Sequence, residues 1–160
     1  MAKKVKNKKT LVEQILTKAG IDHIGIQINA LEGELPPEYG RNQIFKTLAL
    51  LGDMTGPIIG IVPITEHLAE KKLAKVSGNK KVSMIPQKDL EKTTGYIHGA
   101  NNPVGIRQKH NYPIFIDQTA LDLDQMIVSA GEVGHSIIIR PRDLASFVKA
   151  DFADILEESK

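Results

Sequence analysis

The sequence predicts an α+β fold in a single domain. Five to seven short apolar runs read as strands, and helical segments separate them at irregular intervals, unlike the even alternation of a doubly wound sheet. A length of 160 residues suits one domain, and no repeat, low-complexity tract or linker divides it.

In chain order, Thr10-Leu11-Val12-Glu13 has the form of a capping box, in which hydroxyl and carboxylate satisfy free amides at a helix start. Leu11, Val12, Ile15, Leu16 and Ala19 then form one apolar face, and Gly20 can end the helix. His23 to Ile28 alternates as a strand does, and Leu31 to Gly40, with Pro36 and Pro37, reads as a loop. Gln43 to Leu51 is apolar on both faces and predicts a buried strand; a turn at Gly52–Gly56 returns the chain along Pro57 to Pro63 as a hairpin. A lysine-rich helix is expected over Thr65–Val76, a strand over Lys81–Ile85 and a short helix over Pro86–Glu91. Strands follow at Tyr112–Ile116, Gln125–Ser129 and His135–Ile139, then a helix over Pro141–Val148 and a terminal one over Asp151–Glu158.

Composition narrows the class. Hydrophobic content of 41% and charged content of 25% are ordinary for a soluble globular chain. There is no apolar run of the ~18 residues a membrane helix needs. The absence of cysteine excludes disulfides, thiolate metal sites and a cysteine nucleophile, and it suits the cytoplasm. Met1 to Lys9 is polar, without the apolar stretch of a secretory signal, and reads as a flexible basic tail before a domain spanning 10–160. The net charge of +2 depends on that tail. Without Lys3, Lys4, Lys6, Lys8 and Lys9 the rest carries 16 basic and 19 acidic residues, a net of −3. The body is therefore no general binder of polyanions.

Chemistry has few places to live. The five histidines show no ligand-like spacing, so no metal site is expected, and no cofactor is implied. Neither a G-x-S-x-G elbow nor a phosphate-loop or dinucleotide fingerprint occurs. What remains is a mid-chain stretch, Lys92 to Gly105, with Gly95, Gly99, Gly105 and Pro103. Such a stretch is either a tight turn or a set of amides aimed at a ligand. Lys46 is the one charge between Gln43 and Leu51. It reads either as a stem-packed lysine reaching water or as a cation on a pocket wall. Ser129 ends a strand and can either bond local backbone or reach a pocket. Arg107 and Lys109, with Lys71, Lys72 and Lys75, could form a local positive rim for one end of an RNA.

Phe45-Lys46-Thr47, Thr94-Gly95-Tyr96 leading into Gly99–Gly105, and Val128-Ser129-Ala130-Gly131 together resemble the YbaK/EbsC branch of the prolyl-tRNA-synthetase-associated editing domains, from about Leu11 to Leu156. The resemblance implies a mixed, mainly antiparallel sheet with barrel-like curvature, flanked by helices. It implies hydrolysis of a wrong aminoacyl ester on tRNA, with cysteinyl-tRNA(Pro), and also cysteinyl-tRNA(Cys), as substrate. In this branch the substrate's own thiol is thought to attack the ester, a lyase-like route. By the same resemblance Lys46, Gly99 and Ala100 are the catalytic positions. Phe45, Thr47, Thr94, Gly95, Tyr96, His98, Asn101, Asn102, Pro103, Ser129 and Gly131 are those that hold substrate, and tRNA and prolyl-tRNA synthetase are the partners. Ala100 stands where glycine is common, and Asn101-Asn102 is more polar than usual. Two alternatives stay open: a deacylase for alanine or another small amino acid, and a non-catalytic regulator that binds tRNA or a synthetase.

Overall fold

The computed structural model describes residues 9–27 and 39–158. Most of the basic tail and most of the predicted Leu31–Gly40 loop lie outside that set. Five α-helices and eight strands occur among the described residues, the strands in two sheets, and no helix there is long and apolar enough to cross a membrane.

Helix α1 (Leu11–Lys18) starts on the expected box: the Glu13 amide donates to Thr10 Oγ1 at 3.2 Å and the Thr10 amide to Glu13 Oε1 at 2.9 Å. Val12 and Leu16 are its buried residues. Strand β1 (Ile24–Ile26) follows. Strands β2 (Phe45–Gly52) and β3 (Gly56–Pro63) form the predicted hairpin, in register from Phe45–Pro63 to Gly52–Gly56. Side chains on β2 alternate between two apolar clusters, as a strand buried on both faces requires. Phe45 and Ala49 enter the main core; Leu48 and Leu50 enter a smaller one.

Helix α2 (Glu70–Ser77) starts later than the Thr65–Val76 expectation. The preceding residues are held otherwise: Leu68 bridges Leu156, and the Ala69 amide donates to the Ile155 carbonyl at 2.8 Å. Strand β4 (Val82–Met84) and helix α3 (Gln87–Thr94) come next, the helix running three residues past the predicted Glu91. The expected glycine loop ends early, because Pro103 opens helix α4 (Pro103–Lys109) rather than fixing a turn. Strands β5 (Ile114–Asp117), β6 (Met126–Ser129) and β7 (Ser136–Ile139) and helix α5 (Pro141–Val148) match expectation closely.

The predicted terminal helix is not formed. Asp151–Ala153 is strand β8, parallel to β5, and Ile155 donates its amide to buried Asp117 Oδ1 at 3.0 Å. An eight-residue helix is marginal in water, whereas the exposed edge of β5 offers a ladder and a cluster that encloses Ile155 completely.

One sheet has the order β1-β7-β6 and the other β4-β2-β3-β5-β8, with β3–β5 and β5–β8 parallel and the other pairs antiparallel. A parallel bridge, Ile44 to Ile127, joins them, and Ile44, Ile127 and Ile138 pack at the junction. The sheet is thus mixed and mainly antiparallel, and it is not closed into a barrel. The main core lies between the sheets and under α1, α4 and α5.

Candidate active site

A cavity of about 300 Å³ opens where β2 loses its neighbour. Strand β4 stops opposite Leu50, and the Ile85 amide takes the Ala49 carbonyl at 3.1 Å. Pro86 then turns the chain into α3. The outer edge of β2 from Phe45 to Ala49, with Ile44 just before it, is therefore a cavity wall. Ile85, Gln87 and Leu90, with Met84, form a second wall, and His98, Gly99 and Asn101 a third. The β6–β7 hairpin closes the fourth through Ile127, Val128, Ser129, Gly134, His135 and Ser136.

The glycine turn is fastened to itself. Thr94, fully buried at the end of α3, donates Oγ1 to Asn101 Oδ1 at 2.7 Å and accepts the Tyr96 amide at 3.1 Å. Asn101 Nδ2 reaches the Ile97 carbonyl at 3.3 Å. Asn102 caps α4 by accepting the Gly105 amide at 2.6 Å, while its Nδ2 holds the Ala100 carbonyl at 3.0 Å. The polar Asn101-Asn102 pair thus serves the turn. Gly105 is glycine for a packing reason: the Tyr96 ring lies where a Cβ would be. The glycine at 95 ends α3 in the left-handed region at φ 89.

Gly99 and Ala100 are separated by this arrangement. Ala100 is buried, its amide donates to the Ile97 carbonyl at 3.0 Å, and it does not line the cavity. Gly99 does line it, and among the described residues nothing accepts its amide hydrogen. Lys46, half-buried, is on the wall and belongs to none of the ion pairs among the described residues. Ser129 Oγ accepts the Gly131 amide at 3.1 Å, and among the described residues it donates its own proton to no partner. Of the other expected substrate positions, Phe45, Thr47, His98 and Asn101 line the cavity; Thr94, Gly95, Tyr96, Asn102, Pro103 and Gly131 stand behind it as support.

The expected basic rim is not one surface. Arg107 donates Nε to the Val148 carbonyl at 2.6 Å and Nη1 to the His110 carbonyl at 3.4 Å, tying α4 to α5. Desolvation lowers its pKa from the usual arginine value. Lys109 lies 4.6 Å over the Tyr96 ring. Lys72 pairs with Asp154 at 3.0 Å and Glu158 at 3.1 Å, hydrogen bonds that raise its pKa, the Asp154 bond first. Lys71 and Lys75 are exposed on α2, whose buried residues belong to the smaller core. None of the five lines the cavity.

Met84, Ile85, Gln87, Leu90, Gly134, His135 and Ser136, with Ile44, Leu48, Ala49 and Ile127, line the cavity without having been placed at a site by the sequence. Pairing the two expected strands end to end puts His135 opposite Ser129, whereas the observed register is one residue on, with Ser136 opposite Ser129.

The sequence profile of the aminoacyl-tRNA editing domain matches residues 37–147. The EbsC protein of Enterococcus faecalis, whose name proposes a Cys-tRNA(Pro)/Cys-tRNA(Cys) deacylase, is 41% identical over 134 residues, covering 84% of this chain and 78% of that protein. A crystal structure described as a proposed trans-editing enzyme for prolyl-tRNA synthetase has a TM-score of 0.76 at 21% identity, covering 92% of this chain and 95% of that one. The crystal structure of a hypothetical protein gives 0.78 at 21% identity, with coverage of 91% and 99%. The two structures show the fold, and the sequence matches go further. The matched span runs from before β2 into α5 and contains every residue on the cavity wall, so the chain belongs to the aminoacyl-tRNA editing domain family.

Proposed function

We propose that this protein is an aminoacyl-tRNA deacylase that cleaves the ester of cysteinyl-tRNA(Pro) in trans, in the cytoplasm and alongside prolyl-tRNA synthetase. The observation that carries the reading is a small cavity with the Lys46 ammonium on the β2 wall and the unengaged Gly99 amide on the turn. The name of the 41% identical relative supports the choice of substrate. A cavity of about 300 Å³ suits one small aminoacyl group and part of its ribose.

An aminoacyl ester is already activated, so positioning and charge stabilisation do most of the work. Lys46 holds the RNA terminus through a phosphate, as a point charge. The Gly99 amide donates to the carbonyl oxygen as charge builds there, a contribution of about 3 kcal/mol for one such donor. Ser129 offers its hydroxyl proton to the same acyl group. For a cysteinyl ester the nucleophile is the substrate's thiol. Sulfur bonds to the carbonyl carbon, the carbon–oxygen bond to ribose breaks, and the thiol proton leaves with the ribose oxygen.

The test is a panel of cysteinyl-, alanyl- and prolyl-tRNA(Pro) with wild type and Lys46→Ala side by side. Wild type clears the cysteinyl form fastest, and Lys46→Ala loses about 100-fold or more of that rate with its unfolding temperature unchanged. Cleavage of the alanyl but not the cysteinyl ester selects the alanine reading. Binding of charged tRNA without cleavage selects the regulator.

A further inference from the structure

Thr47 is the place where, among the described residues, a fully buried side-chain oxygen has no hydrogen-bond partner. Among the described buried polar residues, Thr10, Asn79, Thr94, Asn101, Asn102 and Asp117 have partners for their side chains, and Ser136, on the cavity wall, has none. A buried hydroxyl left unpaired is destabilising, so its retention calls for a reason outside the folded chain.

Its position supplies one. Thr47 sits midway along the part of β2 that borders the cavity. Main-chain groups of successive strand residues point to opposite edges. The Ile44 carbonyl bonds toward β3 and the Ala49 carbonyl toward β4, so Thr47 faces the edge that β4 no longer covers. Its side chain shares the face of Phe45 and Ala49, on the main-core side, opposite that of Lys46. Ammonium and hydroxyl therefore address different ends of a ligand: Lys46 the RNA, Thr47 the acyl group. Thr47 lines the cavity while its Oγ1 is buried, so contact with a ligand requires rotation about χ1 to bring the hydroxyl to the cavity.

We infer that Thr47 is a specificity-determining residue whose hydroxyl pairs with the polar hydrogen of a small aminoacyl side chain, the S–H of cysteine or the O–H of serine. An alanyl group leaves that hydroxyl unpaired and is disfavoured for that reason. The inference rests on the deacylase reading and sharpens it to a preference.

Uncleavable analogues keep the two ideas apart. Adenosine carrying a 3′-amide-linked cysteinyl, seryl or alanyl group is titrated into wild type, Thr47→Val and Thr47→Ser, while cysteinyl-tRNA(Pro) hydrolysis by wild type is followed separately. Wild type and Thr47→Ser bind the cysteinyl and seryl analogues about fivefold or more tighter than the alanyl one, and Thr47→Val binds all three alike. Thr47→Val also unfolds at a temperature no lower than wild type. Equal binding of the three by wild type, a cysteinyl preference retained in Thr47→Val, or a lower unfolding temperature for that variant each overturns the inference. Failure of wild type to hydrolyse cysteinyl-tRNA(Pro) overturns the deacylase reading, and the analogue comparison still decides the role of Thr47.

Discussion

Ala100 donates its amide to the Ile97 carbonyl at 3.0 Å, and Gly99 beside it donates to nothing among the described residues. A methyl group at position 100 is therefore buried behind the turn rather than placed in the cavity, which is why this chain carries alanine where glycine is common without narrowing the site. Ala100 has an ordinary negative φ, whereas Gly99 is at φ 90. Ala100→Gly should thus cost about 0.5–1 kcal/mol through backbone entropy and leave deacylation within about twofold. Gly99→Ala should cost about 1–2 kcal/mol through left-handed strain and also cut deacylation, because relief of that strain re-aims the amide. Denaturant unfolding and single-turnover hydrolysis of both variants check the pair. A larger rate loss in Ala100→Gly than in Gly99→Ala would assign the carbonyl contact to the other amide. The resemblance makes both positions catalytic; the hydrogen bond to Ile97, the burial of Ala100 and the left-handed φ of Gly99 tell them apart.

At the scale of elements, the legible ones were those whose caps and period agree. Thr10 and Glu13 announce α1, and Pro141 at the first helical position announces α5. Helix α4 also had its signature, Asn102 followed by Pro103, yet Gly105 two residues on argued for a loop. That glycine is set by the Tyr96 ring, a contact between two parts of the turn that local propensity does not register. The terminal segment misled for a related reason, since a free edge on β5 outweighs the helical period of 151–158. The β2–β3 hairpin makes a further point about local chemistry. Asp53 at its tip accepts the Lys81 and Lys80 amides at 3.1 and 2.9 Å, and those bonds, Lys81's first, hold its carboxyl below the usual carboxylate range. The folded pKa is thus lower than the unfolded one. The stability this contributes is complete above the unfolded value and lost as pH falls through the folded value. An NMR titration should place Asp53 below free aspartate, and Asp53→Asn should lose less unfolding temperature on acidification than wild type. Equal losses would mean that the tip does not depend on the carboxylate's charge.

The whole molecule places its cavity at a seam between two sheets, and the sequence had no means of showing a seam. Lys46, Gly99 and Ser129 could be named from motifs because they carry unusual chemistry for their surroundings. Met84, Ile85, Gln87 and Leu90 could not, because they line the cavity only where β4 stops short along β2. The seam is held by Ile44, Ile127 and Ile138, a cluster separate from the one that encloses Ile155. Ile138 packs at the seam without lining the cavity, and Ile155 packs under α2 on the other face of the larger sheet. Truncation of either fully buried side chain should cost about 2–4 kcal/mol. The effects on catalysis should differ. Ile138→Ala lets β7 shift against β2, moving Ser129 and Ser136 relative to Lys46, and kcat/KM for the aminoacyl ester falls. Ile155→Ala loosens the C-terminal strand and leaves kcat/KM near wild type at temperatures where both variants are folded. The comparison is made at matched folded fraction, measured by circular dichroism. Equal kcat/KM losses in the two variants would tie the site to global stability and remove the seam from the argument.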